Sequence, residues 1–145
     1  MQISAIRETI TSDAALAAVV AAVAHGRSIG KAVVAAVADV SGNLMACLRA
    51  DGAYEASVGI ARDKAYTAAV FRAATDDFGT AVSSNPLLRD GIGRRPGVVL
   101  FAGGLPILAG GRVIGAIGVS GGSEDDDRAC AQAGLKALGD AQGAA

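Results

Sequence analysis

The order of elements along the 145-residue chain, α-β-β-α-loop-β-β-β-α, predicts an α+β domain with one five-stranded antiparallel sheet and helices packed on it. Three observations carry this. Helix-spaced and strand-like apolar segments fail to alternate as βαβ units. Short Gly/Asn or Gly-Gly turns separate the strand-like runs. Hydrophobic residues make up 52% of the chain, enough to fill a core at a length typical of a single domain.

Ser12 or Asp13 can cap a first helix, in which Leu16, Val19, Val20 and Val23 recur at helical spacing. Gly26 or Gly30 is the expected stop. Ala32 to Val40 and Leu44 to Arg49 flank Ser41-Gly42-Asn43 and read as a hairpin. Ala53 to Ala74 reads as a long second helix. At about 100° per residue, Ser57, Ala65, Ala68 and Arg72 fall within about 40° of Ala61, a close-packing stripe of mostly small side chains. Lys64 lies about 60° from its centre, whereas Arg62, Asp63 and Tyr66 point elsewhere. A lysine there either lays its stem on apolar surface or directs its ammonium at a ligand.

From Asp76 to Gly97 the pattern breaks, and Asn85-Pro86, Gly91, Gly93, Pro96 and Gly97 read as irregular loop. Val98 to Phe101, Leu105 to Ala109 and Val113 to Val119 then form an expected meander, separated by Gly103-Gly104 and Gly110-Gly111. A last helix is expected from near Ser123 through Cys130, Leu135 and Leu138. Glu124 to Asp127 complement the dipole of its first turn, and its end frays after Gly139.

Composition removes several function classes. With 13 Lys+Arg against 14 Asp+Glu there is no basic field for nucleic acid. The longest apolar run, Ala14 to Ala24, is too short to span a bilayer, and Glu8 and Asp13 precede it where a signal peptide needs cations. A cytoplasmic protein without a membrane partner is expected. Glycine at 20 residues and no tryptophan imply a core of small side chains, and so apolar a chain is expected to form a homo-oligomer. Cys47 and Cys130 lack metal-ligand spacing and His25 is the single histidine, so no metal site is expected and both thiols are read as reduced.

Gly118-Val119-Ser120-Gly121-Gly122 fits the G-x-S-x-G pattern between a strand and a helix, but no histidine base follows Ser120. Four acidic residues at the following helix end argue against a phosphate cradle. These glycines instead allow a tight turn or the close approach of a ligand. Asp39, Asp51 and Asp127 are candidate carboxylates, with solvated caps as their plainer reading.

Val37-Ala38-Asp39-Val40-Ser41-Gly42-Asn43-Leu44, Arg49-Ala50-Asp51-Gly52-Ala53 and Asp63-Lys64-Ala65-Tyr66-Thr67-Ala68 resemble the GlcG/HbpS family. So do Phe101-Ala102-Gly103-Gly104-Leu105-Pro106-Ile107, Val113 through Gly122, and Asp127-Arg128-Ala129-Cys130-Ala131. The resemblance implies a profilin-like fold, a five-stranded antiparallel sheet flanked by helices, assembled into oligomers. It also implies haem as a candidate cofactor, since some members bind it.

The residues carried over are Arg49, Asp51, Lys64, Gly103, Gly104, Pro106, Ser120, Gly121, Gly122 and Asp127. The leading expectation is a haem-binding or haem-handling protein whose pocket lies near Lys64 and the Gly103-Gly104 and Ser120-Gly121 turns. Lys64 or Arg49 would meet a propionate; His25, Met45, Cys47, Tyr54 and Tyr66 are the residue types that could ligate iron. A second reading is a cofactor-free isomerase, hydratase or lyase on a small polar metabolite, with Lys64 as base or clamp and Asp51 or Asp127 as proton partner. A third is an assembly protein with no pocket chemistry.

Overall fold

The computed structural model describes residues 1–143, with side chains as far as Gly139. Helix α1 spans Ser12–Ser28, and the Thr11 hydroxyl, one residue before the expected caps, accepts from the Ala14 amide at 3.3 Å. Gly26 does not stop this helix. It packs inside, where a side chain would strike Val33, and the chain turns out at Gly30, whose φ of 73° suits glycine. The predicted hairpin forms as β1 (Val34–Asp39) and β2 (Leu44–Arg49). The Asp39 carboxylate holds its turn by accepting from the Ser41 and Asn43 amides, both at 2.9 Å.

Helix α2, Ala56–Val70, is shorter than predicted, because Arg72 leaves the helix with a φ of 57°. The segment expected to be loop contains two helices, α3 (Thr75–Ser83) and α4 (Pro86–Gly93). Asn85-Pro86 is an N-terminus here: the Asn85 side chain accepts from the Leu88 amide at 3.2 Å, and proline occupies the first turn, where its missing N–H costs nothing.

Strands β3 (Gly104–Ala109) and β4 (Arg112–Ser120) complete an antiparallel sheet of order β2-β1-β4-β3. It has four strands among the described residues, not five. Val98 to Phe101 is the missing one: the Val98 amide closes a turn onto Arg95 at 3.2 Å, and the Val99 amide donates to the Thr67 hydroxyl at 3.0 Å. With donors committed to a turn and a helix side chain, this apolar run needs no strand neighbour. Helix α5 (Glu124–Gly143) follows and continues past Gly139; the last two residues lie outside those described.

Helix α2 covers one sheet face, and α1 with α5 cover the other. Gly104 and Gly118 are cross-strand partners that both face α2. A side chain on Gly118 would fall on the Ala61 carbonyl and, at 2.5 Å, the Ala65 amide; one on Gly104 would lie 2.6 Å from the Lys64 carbonyl. These bare positions let the α2 backbone ride directly on the sheet, which fixes where Lys64 emerges.

Candidate functional site

Lys64 leaves the flank of the α2 stripe and runs into the protein. Its ammonium donates to the Val119 carbonyl at 2.8 Å and to Asp127 Oδ2 at 2.9 Å. Both side chains are buried, at 1% and 6% exposure. The other carboxylate oxygen of Asp127 accepts from the Gly122 amide at 2.9 Å. The Phe101 ring caps the group, its centroid 5.2 Å from Nζ, close enough for a cation–π contact. One ion pair thus ties α2, the end of β4 and the first turn of α5 together.

The glycines are part of the same node. At Gly103, with φ 122°, a side chain would lie 2.7 Å from both Lys64 Nζ and the Val119 carbonyl. At Gly121, with φ 140°, it would lie 2.7 Å from the Ala32 carbonyl, and at Gly122 it would meet Asp126. The Gly104 amide donates to the buried Thr75 hydroxyl at 3.0 Å. The close approach these glycines permit is therefore made by protein atoms. The pocket expected around Lys64 and the two diglycine turns is filled, and the ammonium already has partners of its own.

The remaining predicted residues lie apart. Arg49 is exposed at the end of β2 with Glu55 at 3.8 Å, and Asp51 sits in the exposed turn that follows. Ser120 is buried opposite Val34, whose other neighbour is Arg49. That register puts two strand spacings, roughly 10 Å, between the backbones of Ser120 and Arg49. Pro106 is on β3, an edge strand, where proline withdraws no interior hydrogen bond. Lys64 and Asp127 are brought together; Asp51, the third residue expected in acid–base work, does not join them.

Sequence reasoning missed Thr75 as part of this node and noted Phe101 only as the first residue of the Phe101–Ile107 motif. It also passed over Arg62 and Asp63 and took Tyr66 only as an iron-ligating type; the three line a recess of about 320 Å³ with Ala38, Gly42, Leu44, Pro96 and Gly97. The available signal was their common position off the packed stripe. Cys130, fully buried in α5, has its thiol pushed up to about 11 by burial, then by the nearby Asp127 and Asp126 charges. Both cysteines are free thiols, and Cys47 is exposed. No cluster of three or more His, Cys, Asp or Glu side chains forms a metal cage among the described residues. Of the iron-ligating types, His25 in the last turn of α1 and Tyr66 on α2 are half-buried, and Met45 and Cys47 on β2 and Tyr54 are exposed.

Residues 10–136 match the family described as haem degrading protein HbpS-like. The chain belongs to the HbpS-like family. It is 38% identical over 128 residues to a 15.0 kDa protein of the dhaT-dhaS intergenic region of Citrobacter freundii, covering 88% of this chain and 90% of that one. Among solved structures, a double mutant of HbpS from Streptomyces reticuli superimposes with TM-score 0.85 at 35% identity, covering 93% of this HbpS-like chain and 90% of the other. The PduOC:haem complex superimposes with TM-score 0.81 at 28% identity, covering 89% and 94%. No described helix of this family member is long and apolar enough to cross a membrane.

Proposed function

We propose that this protein binds haem on the open face of β2 and not beside Lys64. Membership of the HbpS-like family and similarity to a haem complex support the cofactor class. The observation that carries the location is the register of β2. Cys47 and Arg49, opposite Ala36 and Val34, lie on the α2 side of the sheet, and Met45 is the unpaired residue of a bulge, where Val37 pairs with Ala46 but Ala38 with Leu44. All three stay exposed, because α2 packs mainly over β1, β3 and β4. The other face of β2, with Ala46 and Leu48, packs on the core. The donor set fits haem: a thioether and a thiol for iron, and a guanidinium for a propionate. Tyr54, also exposed, adds apolar surface beside it. Lys64 does not fit, since two of its ammonium protons are donated within the chain.

When bound, haem supplies a redox-active iron. The chain's own part would be to orient it: Arg49, now in loose contact with Glu55 at 3.8 Å, would pair with a carboxylate of the ligand, and Met45 and Cys47 would offer sulfur to the iron. Titrating haem into the protein tests this by absorbance. A Soret shift saturating near one haem per chain is expected, weakened about tenfold or more in Arg49→Ala and altered in band position in Met45→Ala or Cys47→Ala. A shift abolished by His25→Ala while all three β2 variants behave as wild type would overturn the location. No shift at stoichiometric haem would overturn the function.

A further inference from the structure

We infer a second ligand site, independent of haem, in the recess between α2, the β1–β2 turn and the Pro96-Gly97 loop: it takes a small zwitterion carrying both a carboxylate and an ammonium group. Its volume, about 320 Å³, is at the lower end of small-molecule pockets, which run ~300–1,000 Å³.

Three polar side chains of α2 border this space. Arg62 and Asp63 are consecutive, so on a helix they do not face each other, and neither makes an ion pair or side-chain hydrogen bond among the described residues. Two opposite charges opening on one recess without neutralising each other match a ligand with both signs. A simple anion would meet Arg62 but face the Asp63 carboxylate, and a simple amine would meet the reverse.

The wall between them is Tyr66, and it is clamped. A side chain on Gly42 would lie 2.7 Å from one ring edge, and a side chain on Gly97 would lie 3.0 Å from the other. Both glycines have positive φ, 87° and 79°, in loops distant in sequence. Two left-handed glycines thus hold one half-buried ring in place, and any larger residue at either would push it into the recess. The same Gly97 position lies 3.7 Å from Asp63 Oδ1, which places the carboxylate beside the ring. Ala38, Leu44 and Pro96 add an apolar lining that suits the ligand's carbon frame, Ala38 buried and the other two exposed. A rigid aromatic wall, an apolar lining and two opposite charges left unpaired among the described residues make a preorganised site.

The test is a heteronuclear NMR titration of the full chain with each of the twenty common L-amino acids. At least one should give saturable shifts centred on the Gly42 and Gly97 amides. Arg62→Ala and Asp63→Asn, both at positions outside the core, should each weaken it tenfold or more while leaving the thermal midpoint unchanged. The matching carboxylic acid without its amine, and the amine without its carboxylate, should bind at least tenfold more weakly. Absence of saturable shifts with all twenty, an undiminished response in both variants, or equal binding of either single-charge analogue would each overturn the inference. Haem is absent from every arm, so failure here leaves the haem reading untouched.

Discussion

Two regions on one helix divide their charges in opposite ways. On one flank of α2, Lys64 is buried and every polar neighbour answers it: a carbonyl at 2.8 Å, a carboxylate at 2.9 Å and an aromatic cap. On the other, Arg62 and Asp63 open on a recess with no protein partner described. The contrast teaches that a charge at the edge of a packed stripe does not by itself mark a ligand site. What matters is whether the interior has already satisfied it. Lys64 belongs to the architecture, and the ligand-facing charges lie on the side the packing leaves open.

The sharpest way to break this comparison is to remove one partner of the buried pair. Lys64→Met leaves the Asp127 carboxylate in the interior with only the Gly122 amide, and Asp127→Ala strands the ammonium. Either should cost about 3–5 kcal/mol. Thermal unfolding should report it as a midpoint lowered by roughly 6–20 °C for a chain of this size. The double variant Lys64→Met/Asp127→Leu should recover much of the loss, because apolar residues replace a buried pair at little net cost. Recovery stays incomplete, since the Gly122 amide loses its acceptor, a penalty of about 1–3 kcal/mol. Single variants within about 1 kcal/mol of wild type would show that the node does not hold these elements together.

The glycines of the same helix and sheet sharpen the contrast. Gly118 has α2 backbone where its side chain would be, whereas Gly59, within α2, has nothing within 4 Å. Gly118→Ala must push the helix off the sheet and should destabilise by about 1–3 kcal/mol. Gly59→Ala meets open space and a helical backbone and should stabilise by about 0.4–1 kcal/mol. Denaturant midpoints of the two variants should move in opposite directions, and a shift in the same direction would contradict the packing described here.

The sequence made the hairpin, the last two strands and the helices α1, α2 and α5 legible, because each combines periodicity with its own turn or cap. Two features were not legible for local reasons. Asn85-Pro86 has the composition of a turn and acts as a helix start, a distinction that depends on whether the next turn finds its bonds. Val98 to Phe101 is apolar because Val99 is buried, and nothing in four residues says that Thr67 will take its amide. At the site, the prominence of Lys64 was readable from its angle on the helix, and Asp51 or Asp127 was named as its partner carboxylate. That the two close on each other, with Gly103 and Gly122 completing the shell, required the sheet that brings residues 63 positions apart to 2.9 Å. The recess escaped notice because Gly42 and Gly97 come from loops that only the fold places against one tyrosine.

The two thiols offer the smallest and most selective readout, since one lies in each region. Cys47 is exposed; partial burial raises the pH at which its thiol ionises, and the field of Arg62 opposes that rise. Cys130 is fully buried near Asp127, and its thiol is raised from 9.0 to about 11. A folded-state value above the unfolded one means that the native protein keeps a proton the unfolded chain gives up. The associated stability is whole below pH 9.0 and is lost as pH rises toward about 11. At pH 10 the loss should be about 1 kcal/mol, seen as a lower denaturant midpoint than at pH 8. Cys130→Ala should flatten that slope, while Cys47→Ser should leave most of it. Alkylation at pH 8 gives the same contrast in kinetic form: one thiol per folded chain, Cys47, should react. Cys130 should label only through opening of the node, and faster in Lys64→Met. Equal labelling of both cysteines in the folded wild type would mean that the Lys64 side of α2 is as open as the Arg62 side, and the distinction between the two flanks would fail.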